Sequence, residues 1–432
     1  MAQVSLRSRG RRALALVIGL LILGGGALGI LGWFLARQAY SVWDRAALER
    51  AVHLESDDAF LHRRLGQWEE FSLAEGDLQR ALLHYRRATE LNPYESRYWL
   101  DLADALLLSG DSAGAQAAVE KALRADPRTP ETLWRMGNFW LRAGQPARAF
   151  PYFRQVLLND PSLLWQVIQT SHRALGDADI ILRDVLPAQP VFLITYLRYL
   201  VRERQASAAA RVWQTLVAVH QPFEAQQVLF YVDDLIATRE VMPAQKAWRE
   251  LQALRLLPAD PQAPGAAGDE LLHNPALRAP ILNGGFDWRV VPHSHVVVTL
   301  GAGRQGEVPP AVAIRFSGED NLHYRHFFQY VVVEPNTHYR FRAWVSTEGI
   351  TTDSGPRLEM ADAYDLQAPV ALSPELVGTN PWTQLQVEFK TGPRTRLLQV
   401  GITRLPSHRL ESQIRGTVRA GEFSLEKGGR GS

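Results

Sequence analysis

Three prolines, Pro93, Pro127 and Pro161, follow one another at intervals of 34 residues. Self-similarity at a fixed period of this length is typical of a solenoid, in which each repeat packs only on its neighbours. Proline cannot continue a helix, because it lacks the backbone N–H and its ring collides with the preceding turn. The spacing therefore predicts helical repeats that each end at one of these prolines.

The residues between the prolines repeat as well. The matching positions are Ala81, Tyr85 and Ala88 in the first unit, Trp99, Leu102, Ala103, Leu106, Ala115, Val119 and Ala122 in the second, and Leu133, Met136, Gly137, Trp140, Ala149, Phe153 and Val156 in the third. Leu65 and Gly66 supply the corresponding pair of the first unit, before a short insertion. A small residue at the eighth position lets two helices approach closely, and large residues fill the space between pairs. This pattern resembles the tetratricopeptide repeat (TPR) family over residues 45–165.

The resemblance implies an α-solenoid whose concave face binds a peptide or a partner protein. The candidate residues of that face are Arg135, Asn138, Arg142 and Asn159. Residues 166–257 keep a weaker helical pattern, in which Trp213 and Trp248 stand 35 residues apart. We interpret this region as degenerate helical repeats.

The periodicity changes after residue 257. Residues 258–280 are rich in proline, glycine and alanine, which predicts a linker and a domain boundary. Short alternating segments such as AVAIRF, HYRFRAWV and TQLQVEF then follow, separated by turn signals such as EPNT and TGPRT. Seven or more short strands predict an antiparallel β-sandwich over residues 281–427. The fold class is thus multidomain, with α-structure followed by β-structure.

The order of landmarks in this sandwich is informative. An Asn-Gly-Gly-Phe opening is followed by VEPNTHYRFRAWV, then NPWTQLQVEF, then a closing GTVRAGEFSLE. This order resembles the jelly rolls of carbohydrate-binding modules and galactose-binding-like domains. The resemblance implies glycan binding through exposed aromatic rings and nearby polar groups. The candidates are Trp288, His323, Tyr324, His326 and Tyr364, whereas the pattern predicts core positions for Phe286, Phe341, Trp344, Trp382 and Phe389.

Metal binding is a second implication of the same resemblance. Asn283, Asp287 and Glu422 could contribute oxygen ligands to a structural calcium ion, and Glu422 stands where the family often has an aspartate. No other cofactor is implied. His293 and His295 alternate onto one face of a strand, but the sequence identifies no third ligand for zinc.

The N-terminal region predicts a membrane anchor. Residues 1–12 carry four arginines, and residues 13–36 carry no charge. At about 1.5 Å per residue this apolar run spans roughly 36 Å, enough to cross a membrane. The arginine excess before it places the N-terminus in the cytoplasm and the bulk of the chain in the bacterial periplasm. The alternative is a cleaved signal peptide, which usually has a shorter apolar region.

Composition narrows the functional classes. The chain of 432 residues has no cysteine, which excludes disulfides and thiolate chemistry. Its formal net charge of +2 gives no support for a polyelectrolyte mode of nucleic-acid binding. The carboxylates available for glycoside hydrolysis are Glu319, Asp320, Glu359, Asp362 and Asp365. None stands in a catalytic motif, so no enzyme is predicted. The sequence favours a membrane-anchored scaffold that binds protein through the solenoid and glycan through the sandwich, in cell-surface polysaccharide assembly or export. The alternatives are a pure protein scaffold and, third, a polysaccharide-modifying enzyme.

Overall fold

A computed structural model describes residues 17–18, 20–21, 44–74, 76–258, 270–301, 310–365, 368–410 and 412–428. The contacts divide the chain into two compact units, Met1–Pro187 and Ala188–Ser432. The predicted tail 1–12 lies outside the described residues. So does the predicted membrane segment 13–36, apart from residues 17–18 and 20–21, which are helical. Among the helices of the described part, none is both long and apolar enough to cross a membrane.

The first unit is built from helical hairpins. Its helices are α1 (Arg45–Leu54), α2 (Ala59–Phe71), α3 (Leu78–Leu91), α4 (Ser96–Leu108), α5 (Ser112–Ala125), α6 (Pro130–Arg142), α7 (Pro146–Asn159) and α8 (Leu164–Leu175). A 3-10 turn, Pro161–Leu163, precedes α8. A short helical segment, Ala178–Ile180, leads into a π-helical stretch, Ile181–Val185, near the end of the unit. The pairs α2/α3, α4/α5 and α6/α7 make the most extensive contacts in this unit. The predicted helical repeats are therefore confirmed.

The prolines of the 34-residue period end the second helix of each pair. Pro93, Pro127 and Pro161 each lie two residues beyond the last residue of α3, α5 and α7. The connection between α2 and α3 has six residues, 72–77, whereas the later pairs are joined by three, 109–111 and 143–145. The insertion seen in the first repeat is thus absorbed in the turn between its two helices.

The small residue at the eighth position has a direct steric cause. A Cβ atom on Gly66 would lie 2.8 Å from the Tyr85 ring, and one on Gly137 would lie 2.4 Å from the Phe153 ring. Ala103 occupies this position in the middle repeat and is fully buried. Close packing of each first helix on the aromatic or aliphatic residue of its partner therefore requires glycine or alanine there.

A pair of histidines joins α2 to α3. The Nδ1 atoms of His62 and His84 are 3.1 Å apart, and His62 Nε2 lies 3.0 Å from the carbonyl oxygen of Ser56. Since His62 Nε2 must donate to that carbonyl, a neutral His62 accepts at Nδ1 and His84 donates to it. Burial, and then the neighbouring His62, lower the pKa of His84 to about 4.

This pair predicts an acid-sensitive first unit. The unfolded chain takes up a proton at His84 near its ordinary pKa of 6.5, whereas the folded chain resists protonation until about 4. The stabilisation that comes from keeping His84 neutral is therefore complete above about pH 6.5 and is lost as the pH falls towards 4. The free energy of unfolding should fall by about 1–2 kcal/mol after allowance for solvent screening. Urea unfolding at pH 7 and at pH 4.5 measures this loss. Replacing His84→Gln should flatten the dependence, and an unchanged slope would contradict the assignment.

The second unit begins with two further hairpins. Its helices are α9 (Pro190–Arg202), α10 (Ala206–Ala218), α11 (Leu229–Ala237) and α12 (Val241–Ala253). Trp213 and Trp248, which stand 35 residues apart, lie on the second helix of each hairpin and are buried. The apolar run PVFLITYLRYL forms α9, with most of its large side chains in the interior.

The rest of the second unit is a sandwich of two five-stranded antiparallel sheets, which confirms the predicted sandwich. The strands are β1 (Arg289–Val290), β2 (Val296–Leu300), β3 (Ala311–Ser317), β4 (Tyr324–Val332), β5 (His338–Ile350), β6 (Arg357–Asp362), β7 (Ala371–Leu372), β8 (Gly378–Lys390), β9 (Leu397–Arg404) and β10 (Arg415–Lys427). Sheet A has the order β1-β4-β9-β6-β7, and sheet B has the order β2-β3-β10-β5-β8. One apolar core lies between the two sheets.

The segment predicted as a linker is partly structured. Residues 259–269 lie outside the described residues, but residues 270–280 pack on the sandwich. Leu272 and Leu277 belong to its core, and the Asn274 side chain bonds both backbone groups of Ala279, at 2.7 and 3.1 Å. Proline and glycine content indicated a boundary here, whereas the division of contacts falls at Pro187.

Helices α11 and α12 are fixed to the sandwich by polar and apolar contacts. The Asp233 carboxylate accepts a 2.7 Å bond from Gly285 N and is paired with Arg289. Trp248 packs edge-on against Phe286 and against His273, with ring centroids 6.0 and 5.3 Å apart. The two helices and the sandwich therefore share one folded unit.

Replacing Gly285→Ala should break this junction. Gly285 has φ +57°, and an added Cβ would lie 2.3 Å from the Trp248 ring. Backbone strain and overpacking together should destabilise the second unit by about 2–4 kcal/mol. Gly349→Ala is the matched control, because Gly349 has φ +65° but open space around it. Hydrogen exchange of α12 measures the difference, and equal effects of the two substitutions would contradict the packing role.

Candidate functional site

The first helices of the three repeats share a chain of ion pairs. Asp101 on α4 accepts from Arg63 on α2 at 2.6 Å and from Arg135 on α6 at 2.5 Å. Asp104 is paired with Arg135 and with Arg142. We call this set the arginine–aspartate ladder. It connects three successive repeats through side chains that are 31–38 residues apart in sequence.

Burial is greatest at the centre of the ladder. Asp101 is 6 % exposed, whereas the Arg142 side chain is 52 % exposed. Nearby, Glu70 accepts a 2.6 Å bond from the Tyr85 hydroxyl. Burial is the main cause of the raised pKa of Glu70, and the charges of Asp101 and Asp104 raise it further. The ladder is thus a structural element at its centre and an accessible charged group at its end.

The four predicted concave-face residues divide into two groups. Arg135 and Arg142 lie in the ladder. Asn138 donates to the Trp134 carbonyl on its own helix, and Asn159, at the end of a second helix, donates to the Arg128 carbonyl. The structure therefore brings together only the two arginines of this set.

The last residue of each first helix has an exposed side chain. Phe71, Leu108 and Arg142 are the last residues of α2, α4 and α6, and they are 62 %, 67 % and 52 % exposed. We call this the terminal row. Phe71 and Leu108 are not among the residues predicted from the sequence. Their common position in the repeat, with an apolar side chain where a solvated residue is usual, is the signal that could have identified them.

Two predicted glycan residues are in the core, and those two predictions are wrong. Trp288 is fully buried, with its ring stacked 4.8 Å from Phe327 and its Nε1 donating to the Asn274 carbonyl. Tyr324 is also fully buried and packs edge-on against Phe316. Neither ring presents a face to solvent, because both side chains point between the two sheets.

The other predicted glycan residues are dispersed. The Tyr364 hydroxyl donates to the Ile236 carbonyl of α11 at 2.6 Å, so its hydrogen is already used in a contact with this helix. His323 is exposed, and His326 is half-buried beside Tyr324, with ring centroids 5.1 Å apart. Burial is the main cause of a lowered pKa at both histidines. These groups do not form one aromatic platform.

The proposed calcium ligands make hydrogen bonds or ion pairs with other groups of the chain. The Asp287 carboxylate accepts from Leu282 N and Trp288 N, and its burial raises its pKa to about 6. Asn283 accepts from Val290 N, and Glu422 pairs with Arg278. His293 and His295 face each other, and His295 also faces Asp320 and Glu319. Among the described residues, no group of three or more histidines and carboxylates could hold a metal ion.

The remaining candidate carboxylates have structural partners. Glu359 is buried and pairs with Arg325, and Asp362 accepts from the backbone N–H groups of Tyr364 and Asp365. Around Glu359, the outer face of sheet A has a shallow depression lined by Arg325, Phe328, Gln399, Gly401 and Thr403 among others. A Cβ at position 401 would lie 2.3 Å from the Phe327 carbonyl oxygen.

One predicted core residue lies on the surface. Trp344 is 42 % exposed, because β5 directs it away from the core, between the buried Ala343 and Val345. The prediction of a core position for Trp344 is therefore wrong. Trp382 is half-buried, whereas Phe286, Phe341 and Phe389 are buried as predicted.

These features define a helical-repeat unit with an ion-paired first-helix face, followed by a helix-bound β-sandwich. The tetratricopeptide repeat family matches residues 72–135. A comparison with curated protein sequences finds no match.

Several solved structures have related folds over part of the chain. The MamA protein is 11 % identical, with a TM-score of 0.31, over 42 % of this chain and 96 % of its own. YrrB, described as a TPR protein with an unusual peptide-binding site, is 16 % identical, with a TM-score of 0.25, over 50 % and 94 %. A CBM4 structure is 9 % identical, with a TM-score of 0.27, over 36 % and 99 %.

Proposed function

We propose that the chain is a non-catalytic adaptor that binds a protein partner through the first-helix face of its TPR solenoid. The observation that carries the proposal is the terminal row, where Phe71 and Leu108 leave apolar side chains in water at equivalent positions of successive repeats. Burial of such side chains against a partner is favourable, and Arg142 at the end of the row can pair with an acidic group. The arginine–aspartate ladder joins the same three first helices through ion pairs.

The location is part of the same proposal. Residues 13–36 would anchor the chain in the bacterial inner membrane, with residues 1–12 in the cytoplasm and both folded units in the periplasm. An anchor would hold the solenoid close to a membrane-bound complex. A role in cell-surface polysaccharide assembly or export fits this combination of an anchor, a repeat scaffold and a sandwich.

Recovery of partners from native membranes tests the proposal. The full chain, purified with crosslinking from detergent-solubilised membranes, should retain a specific protein that the double variant Phe71→Ala/Leu108→Ala loses. Leu83→Ala is the matched control, since Leu83 is 64 % exposed on the second helix α3. Equal recovery by the double variant would remove the terminal row from the interface.

Glycan recognition by the sandwich is the second candidate function. The observation that favours it is the exposed Trp344 on the outer face of sheet B. A large aromatic ring in water is costly for a soluble surface and is common where a ligand covers it. Without glycan binding, the chain would be a pure protein scaffold with a structural sandwich.

A further inference from the structure

The outer face of sheet B carries a tryptophan among polar side chains. Trp344 is paired across the sheet with Gln384 of β8 on one side and with Gly421 of β10 on the other. Gly421 has no side chain, so the indole lies beside backbone on that side. Gln384 and Gln386 on the edge strand β8 are exposed. The ring is thus next to exposed amide groups at an accessible edge, where the Gln386 side chain also donates to Glu388 at 3.2 Å.

A second tryptophan, Trp382, lies on the neighbouring strand β8, two residues before Gln384. The register of β5 and β8 shifts between the pairs Val345–Thr383 and Thr347–Asn380, and Trp382 lies in this bulge. Trp382 is half-buried. Bulges commonly redirect side chains at sheet edges next to binding sites.

The charges nearest Trp344 on this face are matched in pairs. Arg342 binds Glu426 at 2.5 Å, Arg340 binds Glu388 at 3.0 Å, and Arg419 binds Glu348 at 3.0 Å. These three arginines and three glutamates balance one another beside Trp344, and the exposed cations Arg315 and Lys390 lie farther out on the same face. The immediate surroundings of Trp344 therefore offer hydrogen-bond donors and acceptors without an unpaired charge that would select an ionic ligand.

We propose that Trp344 is the stacking residue of a binding site for neutral pyranose chains, with Gln384, Gln386 and Arg342 bonding the sugar hydroxyls. This assignment rests on the second candidate function. One face of a pyranose ring is lined by C–H groups and packs on an indole, while its hydroxyls need donors and acceptors at the rim. The exposed ring, the flanking amides and the balanced charges supply these requirements.

The experiment measures binding of the full chain in detergent micelles to cellohexaose, xylohexaose, laminarihexaose and mannohexaose by titration calorimetry, with alginate hexamer as the acidic probe. The variants are Trp344→Ala and, as the conservative control, Trp344→Phe. Gln399→Ala tests the depression on sheet A as the competing location. All variants change surface positions, and their folding is checked by thermal unfolding.

The site is supported if a neutral hexaose binds, Trp344→Ala weakens it roughly tenfold or more, Trp344→Phe weakens it less, and Gln399→Ala has no effect. Binding that survives Trp344→Ala but is lost in Gln399→Ala overturns this site and keeps the second candidate function. Binding of alginate alone overturns the neutral class. Absence of all binding at millimolar sugar overturns the glycan assignment, and a dimer of the chain that Trp344→Ala dissociates would identify the face as an interface between copies.

Discussion

Replacing Trp288→Ala should destabilise the second unit by about 3–5 kcal/mol, the range for removal of a large buried aromatic side chain. The ring is fully buried between Phe327 and Phe423, with centroids 4.8 and 4.5 Å away, and its N–H bonds the Asn274 carbonyl. Alanine would leave a cavity between the two sheets and an unpaired carbonyl. Pulse proteolysis of the full chain in urea measures the change.

Trp344→Ala is the matched control, because it removes the same side chain from the surface of the same sandwich. Its effect should stay within about 0.5 kcal/mol. If Trp288→Ala left the stability unchanged and abolished sugar binding instead, the assignment of the two tryptophans would be reversed.

Replacing Asp101→Asn should destabilise the first unit by about 3 kcal/mol. The carboxylate is 6 % exposed and accepts from Arg63 and Arg135, so the substitution leaves two partly buried guanidinium groups without their main anionic partner. Because these arginines belong to neighbouring repeats, cooperativity between repeats should fall as well. Urea unfolding followed by circular dichroism would show a lower midpoint and a broader transition.

Asp104→Asn provides the comparison within the same ladder. Its side chain is 25 % exposed and its partner Arg142 is half in water, so the loss should be only about 1 kcal/mol. Equal effects of the two substitutions would show that the ladder has no buried centre.

The periodic part of the fold was predictable because its cause is local. Pro93, Pro127 and Pro161 stop the second helices, and Gly66 and Gly137 fit under Tyr85 and Phe153 within the same repeat. Both features are set by residues at fixed short spacing. Alternating segments likewise predicted the longer strands, since each places one face in the core.

The failures concern partners distant in sequence. Trp288 follows a turn-rich opening and could be either a surface or a core residue until β4 and β10 supply Phe327 and Phe423. Trp344 lies in an alternating strand whose phase puts Ala343 and Val345 inward, so the tryptophan points outward although its size suggests burial. Size and hydrophobicity were weaker indicators there than the two-residue period.

Strand β6 shows how a buried ion pair hides the alternation of buried and exposed residues that predicts a strand. Its four central residues, Leu358 to Ala361, are all buried, and Glu359 on the outer face is buried by its pairing with Arg325. From the sequence alone, a glutamate predicts a position exposed to solvent. The attachment of α11 and α12 to the sandwich is hidden for a similar reason, because Asp233 and Arg289 are 56 residues apart.

Site-specific photo-crosslinking in native membranes tests whether the first-helix face of the solenoid binds a protein partner. A photoreactive residue would be placed at Leu108, in the terminal row of the first helices, and separately at Leu83 on a second helix, both exposed to a similar degree. We expect an adduct of defined mass with a partner protein from the first position and none from the second. Absence of an adduct at Leu108, or equal adducts at both positions, would contradict binding through the first-helix face.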